Sequence, residues 1–244
     1  MSFQQVLAVI AICSPTMAAA VPITVLNHSF VAPGAAPRNF VGGTNFGPAN
    51  WSVYNTGPTY HQRFFGAWKP AGTNSFVSGA PDGANVGVVF LQDSLNREAG
   101  LLQTLSATLQ ANTAYTLAVD VGNSAPNLPP IMFNFKGFPG CRVDLLAGGA
   151  VIASDNNTLV PGEGIFLKST VSSTTGASPL NLGQQLGIRL VNLILPGPTG
   201  NPNNGIEVNF DNVRLDATNV PSPASVALFG IGLLGLAAVR RRVR

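Results

Sequence analysis

Residues 115–121 read Tyr-Thr-Leu-Ala-Val-Asp-Val, and this stretch decides the fold class. Successive side chains of an extended chain point to opposite faces, so Tyr115, Leu117, Val119 and Val121 share one face and Thr116, Ala118 and Asp120 the other. The same period returns further on. Leu186, Ile188, Leu190 and Ile194 lie on one side with Arg189 on the other, and Ile206, Val208 and Phe210 alternate with Glu207 and Asn209. The pattern predicts half-buried strands with one face on a core and the other in water. Further extended runs fall at 23–26, 51–54, 86–91, 101–109, 142–154 with a turn at Gly148-Gly149, and 165–171. Gly, Pro and Asn clusters separate them, and no part of 21–219 carries an apolar stripe of helical period. Many short strands punctuated by turns predict an all-β, antiparallel β-sandwich.

The charge balance narrows the partners. The chain has 13 basic and 10 acidic residues, but four of the basic ones are Arg240, Arg241, Arg242 and Arg244. Residues 21–219 therefore hold 9 basic against 10 acidic residues, a net of −1, which argues against nucleic acid as a partner because that requires a basic face. Two cysteines occur. Cys13 lies in the N-terminal leader, so Cys141 has no partner for a disulfide within the chain and is expected to be a small buried residue. About 200 residues between the two ends suffice for one domain with a substantial core.

Both ends carry export signals. Val6 to Cys13 is a short apolar core, Pro15 breaks it, and Ala18-Ala19-Ala20 offers the small residues that signal peptidase needs, so 1–20 is expected to be a signal peptide cleaved after Ala20. Eight apolar residues are too few to span a bilayer. The C-terminal segment 220–244 has three parts. Val220-Pro221-Ser222-Pro223 is a breaker, 224–239 is uncharged and apolar, and the arginines follow. At 1.5 Å per residue the apolar part spans about 24 Å, and about 30 Å counted from Val220, which is enough for a transmembrane helix in membrane lipid. Arg240, Arg241, Arg242 and Arg244 form the cytoplasmic stop and leave 21–219 as an ectodomain on the far side.

This tail resembles the PEP-CTERM sorting signal of Gram-negative bacteria, with Ser222 where that family usually has Glu. The resemblance implies recognition by an exosortase-type membrane protease at Val220–Pro223, removal of the helix, and delivery to the cell surface or the extracellular matrix. A second resemblance covers most of 23–216. Asn27-His28-Ser29-Phe30, Pro81-Asp82-Gly83, Gln103-Thr104-Leu105, Tyr115-Thr116-Leu117 and Phe210-Asp211-Asn212-Val213 follow in an order similar to the galactose-binding-like jelly rolls of carbohydrate-binding modules. That resemblance implies a jelly-roll sandwich. It also implies a structural Ca²⁺ held through Asp211, although Val31 stands where the family has its early Glu and His28 where it has Gly. No other cofactor is expected.

Catalytic motifs are absent from the sequence. The two histidines, His28 and His61, have no zinc-ligand spacing, and neither a Gly-x-Ser-x-Gly elbow nor a phosphate loop occurs. Nothing marks the carboxylates Asp82, Asp93, Glu98, Asp144 and Asp155 as an acid–base pair, and all are expected at the solvated surface. The aromatic stretch 51–68 offers Trp51, Tyr54, Tyr60 and Trp68 as faces that could stack on sugar rings, or as core beneath a long loop. The resulting expectation is an exported, non-enzymatic envelope protein touching extracellular polysaccharide. The alternatives are a polysaccharide hydrolase or lyase on the same scaffold, and a ligand-free structural or adhesion protein.

Overall fold

The alternating runs pair as two antiparallel sheets in the structure, a computed structural model that describes residues 19–56, 63–71, 74–91, 98–126, 135–195 and 206–221. Its strands are β1 (Val21–Ile23), β2 (Phe40–Gly43), β3 (Ser52–Asn55), β4 (Arg63–Trp68), β5 (Val86–Leu91), β6 (Ala99–Thr108), β7 (Thr113–Asn123), β8 (Cys141–Ala147), β9 (Ala150–Asn156), β10 (Ile165–Thr174), β11 (Gln185–Asn192) and β12 (Glu207–Asn219). One sheet has seven strands in the order β10-β7-β12-β5-β4-β2, with β1 also on β12, and the other has five in the order β3-β6-β11-β8-β9. The all-β antiparallel sandwich expected from the alternation is the observed fold.

The interlayer core is built from the apolar faces that the sequence displays. Tyr115, Leu117, Val119 and Val121 of β7 meet Leu186, Ile188 and Leu190 of β11, with Val208 and Phe210 of β12 beside them. The turn between β8 and β9 falls at Gly148 and Gly149, whose φ values of +59° and +83° suit a two-residue hairpin that other residues enter at a cost. β12 is long enough to lie against β7 over most of its length. Its other edge holds β5 at 207–210 and β1 at 215–217.

Two differences from the sequence reading matter. β2 and β4 were not expected as strands, and β4 shows no alternation because it is buried on both faces. The outer face of the seven-stranded sheet is not solvated either. Glu207 and Asn209, which the alternation turns toward water, are buried there with 5% and 0% exposure. A second apolar cluster of Trp68, Phe76, Val86, Val88, Phe90, Phe135 and Ile206 covers that face. The expected signal-peptide core and the expected transmembrane helix at 224–239 fall outside the described residues. Ser222, Pro223, Arg240, Arg241, Arg242 and Arg244 do so as well. Among the described residues no helix is long and apolar enough to cross a membrane.

Candidate active site

The covered outer face is assembled by strand register. Asn209 of β12 lies opposite Gly122 of β7 and Val88 of β5, Val88 lies opposite Gly66 of β4, and Gly66 opposite Gly42 of β2. Three glycines in this row leave a low floor, and neighbouring rings lie over them. A Cβ on Gly66 would come within 2.6 Å of the Phe64 ring, and one on Gly122 within 2.4 Å of the Phe166 ring. From there the rings continue in an unbroken chain. Phe64 meets Phe40 edge-on at 5.7 Å, Phe40 stacks on Trp68 at 5.2 Å, Trp68 meets Phe76 at 5.9 Å, and Phe76 meets Phe166 at 4.3 Å. On the next row Glu207 pairs with Phe90, whose ring meets Phe135 at 6.2 Å.

Loops close this face. The segment between β4 and β5 brings in Phe76, and the amide of Ala125, just beyond β7, donates to the Ser75 carbonyl at 3.1 Å. Phe135 enters from the segment between β7 and β8. Asn192 of the opposite sheet anchors the start of β12, its Nδ2 donating to the carbonyls of Val89 and Ile206 at 3.0 and 3.2 Å.

Three polar side chains sit inside this apolar shell. Glu207 Oε1 accepts a hydrogen bond from Asn209 Nδ2 at 3.0 Å, and Ser124 is its other partner. Burial pushes the Glu207 carboxyl up to about 7, against the smaller opposing effect of those two neutral partners. Trp68 Nε1 and Asn209 Oδ1 are fully buried and have no hydrogen-bond partner among the described residues. A carboxyl that exchanges its proton near neutrality, walled by aromatic rings and shut from water, can protonate an apolar substrate. The ring faces favour a cation formed there, and the exclusion of water protects it from capture.

The residues singled out from the sequence do not converge. Trp51 lies in the interlayer core, stacked on Phe30 at 5.4 Å. Tyr54 sits on the five-stranded sheet, where it donates to Glu98 at 2.9 Å beneath the Arg189 guanidinium, 4.4 Å from its ring centre. Tyr60 falls outside the described residues, and of the three described Trp68 belongs to the covered face. Nor are the carboxylates all solvated. Asp144 is fully buried and accepts from Arg142, Arg189 and Ser154 at 3.0, 2.7 and 2.6 Å, and Arg142 in turn holds Glu98 at 2.5 and 2.8 Å. Every member of that network is satisfied by another, as in a structural clamp. Asp155 is likewise buried and accepts from Thr158 and Ser169, each at 2.6 Å.

Asp211 is fully buried, and its two oxygens accept the backbone amides of Asp82 and Asn212 at 2.8 Å each. Burial pushes this carboxyl up to about 8, with Asp82 and Asp120 adding to the rise. A Ca²⁺ ion takes six to eight oxygens. Among the described residues no group of three or more His, Cys, Asp or Glu is placed to hold a metal ion.

A two-sheet sandwich with a buried acid inside an aromatic shell on one outer face defines an enzyme-like class more closely than a sugar-binding one. The chain belongs to the HpiC1-like family, whose model, described as HpiC1 cyclase, matches residues 21–216. It is similar to the Stig cyclase Fisc from Fischerella sp. TAU in complex with (3Z)-3-(1-methyl-2-pyrrolidinylidene)-3H-indole. That match is 35% identical, covers 83% of this chain and 100% of that one, and has a TM-score of 0.72. A cyclase from Fischerella sp. TAU in complex with 4-(1H-indol-3-yl)butan-2-one matches at 36% identity, over 83% of this chain and 100% of that one, with a TM-score of 0.70. Comparison with curated proteins finds no match. Residues 219–242 match the PEP-CTERM protein-sorting motif, which implies export with a membrane-anchored sorting signal.

Membership of a cyclase family overturns the expectation of a non-enzymatic, polysaccharide-touching protein. The same sandwich serves binding modules and enzymes, so fold-level likeness could not separate them. Glu207 entered the sequence reading as a polar residue alternating with Ile206, Val208 and Phe210, with no chemistry attached. The available signal was its place on a strand beside Asn209, in a chain with few charges.

Proposed function

We propose that residues 21–216 form a cyclase that closes a ring within an apolar, indole-bearing substrate, with Glu207 as the proton donor. The observation that carries this reading is the Glu207 carboxyl, buried among aromatic side chains and held near neutral pKa, in a chain of the HpiC1-like family. The rings of Trp68, Phe76, Phe90 and Phe135 hold the substrate folded. The Glu207 O–H gives its proton to the substrate, an intramolecular carbon–carbon bond forms at the resulting cation, and loss of a proton from the product restores the acid. The product is an isomer of the substrate, and no oxidant or leaving group takes part. Glu207 and Ser124 touch the reacting region, and Asn209 orients the acid.

The test is incubation of the full chain with indole-bearing olefins, scored by chromatography and mass spectrometry for a product of unchanged mass. Removal of a general acid costs about 10²–10⁴-fold, so the Glu207→Gln protein should lose the product nearly completely. Turnover that is equal in both proteins removes the role of Glu207, and absence of any isomer removes the cyclase reading.

The reaction takes place beyond the inner membrane in this proposal. An exosortase-type protease cuts near Val220–Pro223 and leaves the cyclase at the cell surface or in the surrounding matrix. Val220 and Pro221 are exposed just after β12 ends at Asn219, which leaves them accessible to a protease. Mass spectrometry of the protein from its native host should find chains ending near 220–225. Recovery only of chains ending at Arg244 would make it a permanently anchored enzyme.

A further inference from the structure

Within the covered face, two buried polar groups have no hydrogen-bond partner among the described residues, and they differ in kind. Trp68 Nε1–H can only donate, and Asn209 Oδ1 can only accept. The orientation of the Asn209 amide follows from its other end, because Nδ2 donates to Glu207 and turns Oδ1 away. A buried donor or acceptor left unmatched costs about 1–3 kcal/mol, and such groups are rare in folded proteins. Both lie on the outer face of the seven-stranded sheet, Trp68 within the second apolar cluster and Asn209 beside Val88 of that cluster. Trp68 lies opposite Val86 and Asn209 opposite Val88, so their backbones are separated by two strand spacings across β5 and two residues along it, about 12 Å.

We infer that Trp68 and Asn209 are the polar recognition pair for the substrate, Asn209 Oδ1 accepting the N–H of its heterocycle and Trp68 Nε1 donating to an oxygen or nitrogen acceptor on its side chain. The inference rests on the cyclase reading and narrows its substrate to molecules with one donor and one acceptor at opposite ends of an otherwise apolar frame. Of the two molecules bound by the relatives, 4-(1H-indol-3-yl)butan-2-one carries a ring N–H and a ketone. The other is a 3H-indole with an imine ring nitrogen and an N-methylated pyrrolidine, and carries no N–H. This chain should therefore prefer the first. Glu207 lies two residues along β12 from the group that would fix the ring nitrogen.

A ligand-by-variant cycle tests it by titration calorimetry on the full chain. The probes are 4-(1H-indol-3-yl)butan-2-one, its benzofuran counterpart lacking the N–H, and 3-butylindole lacking the ketone. In the wild-type protein each missing group should weaken binding at least about tenfold, the loss expected when a buried partner is left unmatched. In Asn209→Ala the benzofuran penalty should shrink to less than about threefold while the 3-butylindole penalty persists, and in Trp68→Phe the reverse should hold. Equal penalties in wild type and both variants would overturn the pairing. If either variant does not fold, the wild-type comparison decides alone, and equal affinity for all three probes overturns the inference. A wild-type protein that binds none of the three removes the cyclase reading itself, and the inference with it.

Discussion

Replacing Glu207 with Gln keeps the side chain's size and its acceptor for Asn209 Nδ2 but removes the proton it can lose. In the wild-type protein burial raises this carboxyl from 4.5 to about 7. The unfolded chain therefore gives up the proton first. The contribution of Glu207 to stability is fully present below about pH 4.5 and is lost as pH rises through about 7. Between pH 5 and pH 8 that loss comes to about 2–3 kcal/mol, at 1.36 kcal/mol per pKa unit. Gln does not titrate, so the variant should gain on the wild type by about this amount as pH goes from 5 to 8. Urea unfolding of both proteins at pH 5, 6, 7 and 8, followed by tryptophan fluorescence, measures it. Equal m-values would show that the denatured states match. Asp211, also raised by burial, gives both proteins the same downward trend, and the difference between them isolates Glu207. A difference that does not change with pH would refute the reasoning. A gain that runs the other way would mean that the fold stabilises the ionised carboxylate.

Four further outcomes follow from the packing. Gly122→Ala places a Cβ 2.4 Å from the free end of the Phe166 side chain, so the ring swings away and binding of the indole probe falls about tenfold, by calorimetry, with little loss of melting temperature. Gly66→Ala meets the Val41 carbonyl at 2.4 Å, which is backbone and cannot swing aside, and should lower the melting temperature far more. Asp144→Ala leaves the Arg142 and Arg189 guanidinium groups without their shared carboxylate and should cost about 3–5 kcal/mol in chemical denaturation. Cys141 is buried and its thiol is pushed up to about 12, so a disulfide reagent should label it only once the protein unfolds.

The sandwich was legible because its core strands are covered on one face and alternate. Tyr115 to Val121 and Leu186 to Leu190 place their apolar residues toward the interlayer core as the period requires. β4 was not legible for the opposite reason. Arg-Phe-Phe-Gly-Ala-Trp is covered on both faces, so it carries no period-2 signal. The site stayed hidden for the same reason. Alternation marks Glu207 and Asn209 as polar residues opposite the core, and it cannot tell a face in water from one roofed by distant loops. The roof comes from Phe76 and Phe135 on segments between strands and from Phe166 on β10, each remote in sequence from Glu207, and only the tertiary fold brings them together. Trp51 and Trp68 show the limit of local reasoning about aromatic runs. They lie in one stretch of chain, yet one enters the interlayer core and the other the outer cluster.

The location of bound ligand tests the central claim most directly. A crystal structure of the full chain with 4-(1H-indol-3-yl)butan-2-one should place the indole on the outer face of the seven-stranded sheet, among Trp68, Phe76, Phe90 and Phe135. Its ring nitrogen should lie within hydrogen-bond distance of Asn209 Oδ1, with the Glu207 carboxyl beside the ring. Ligand found on the five-stranded sheet by Tyr54 and Arg189, or a covered face that stays empty at saturating probe, would contradict it.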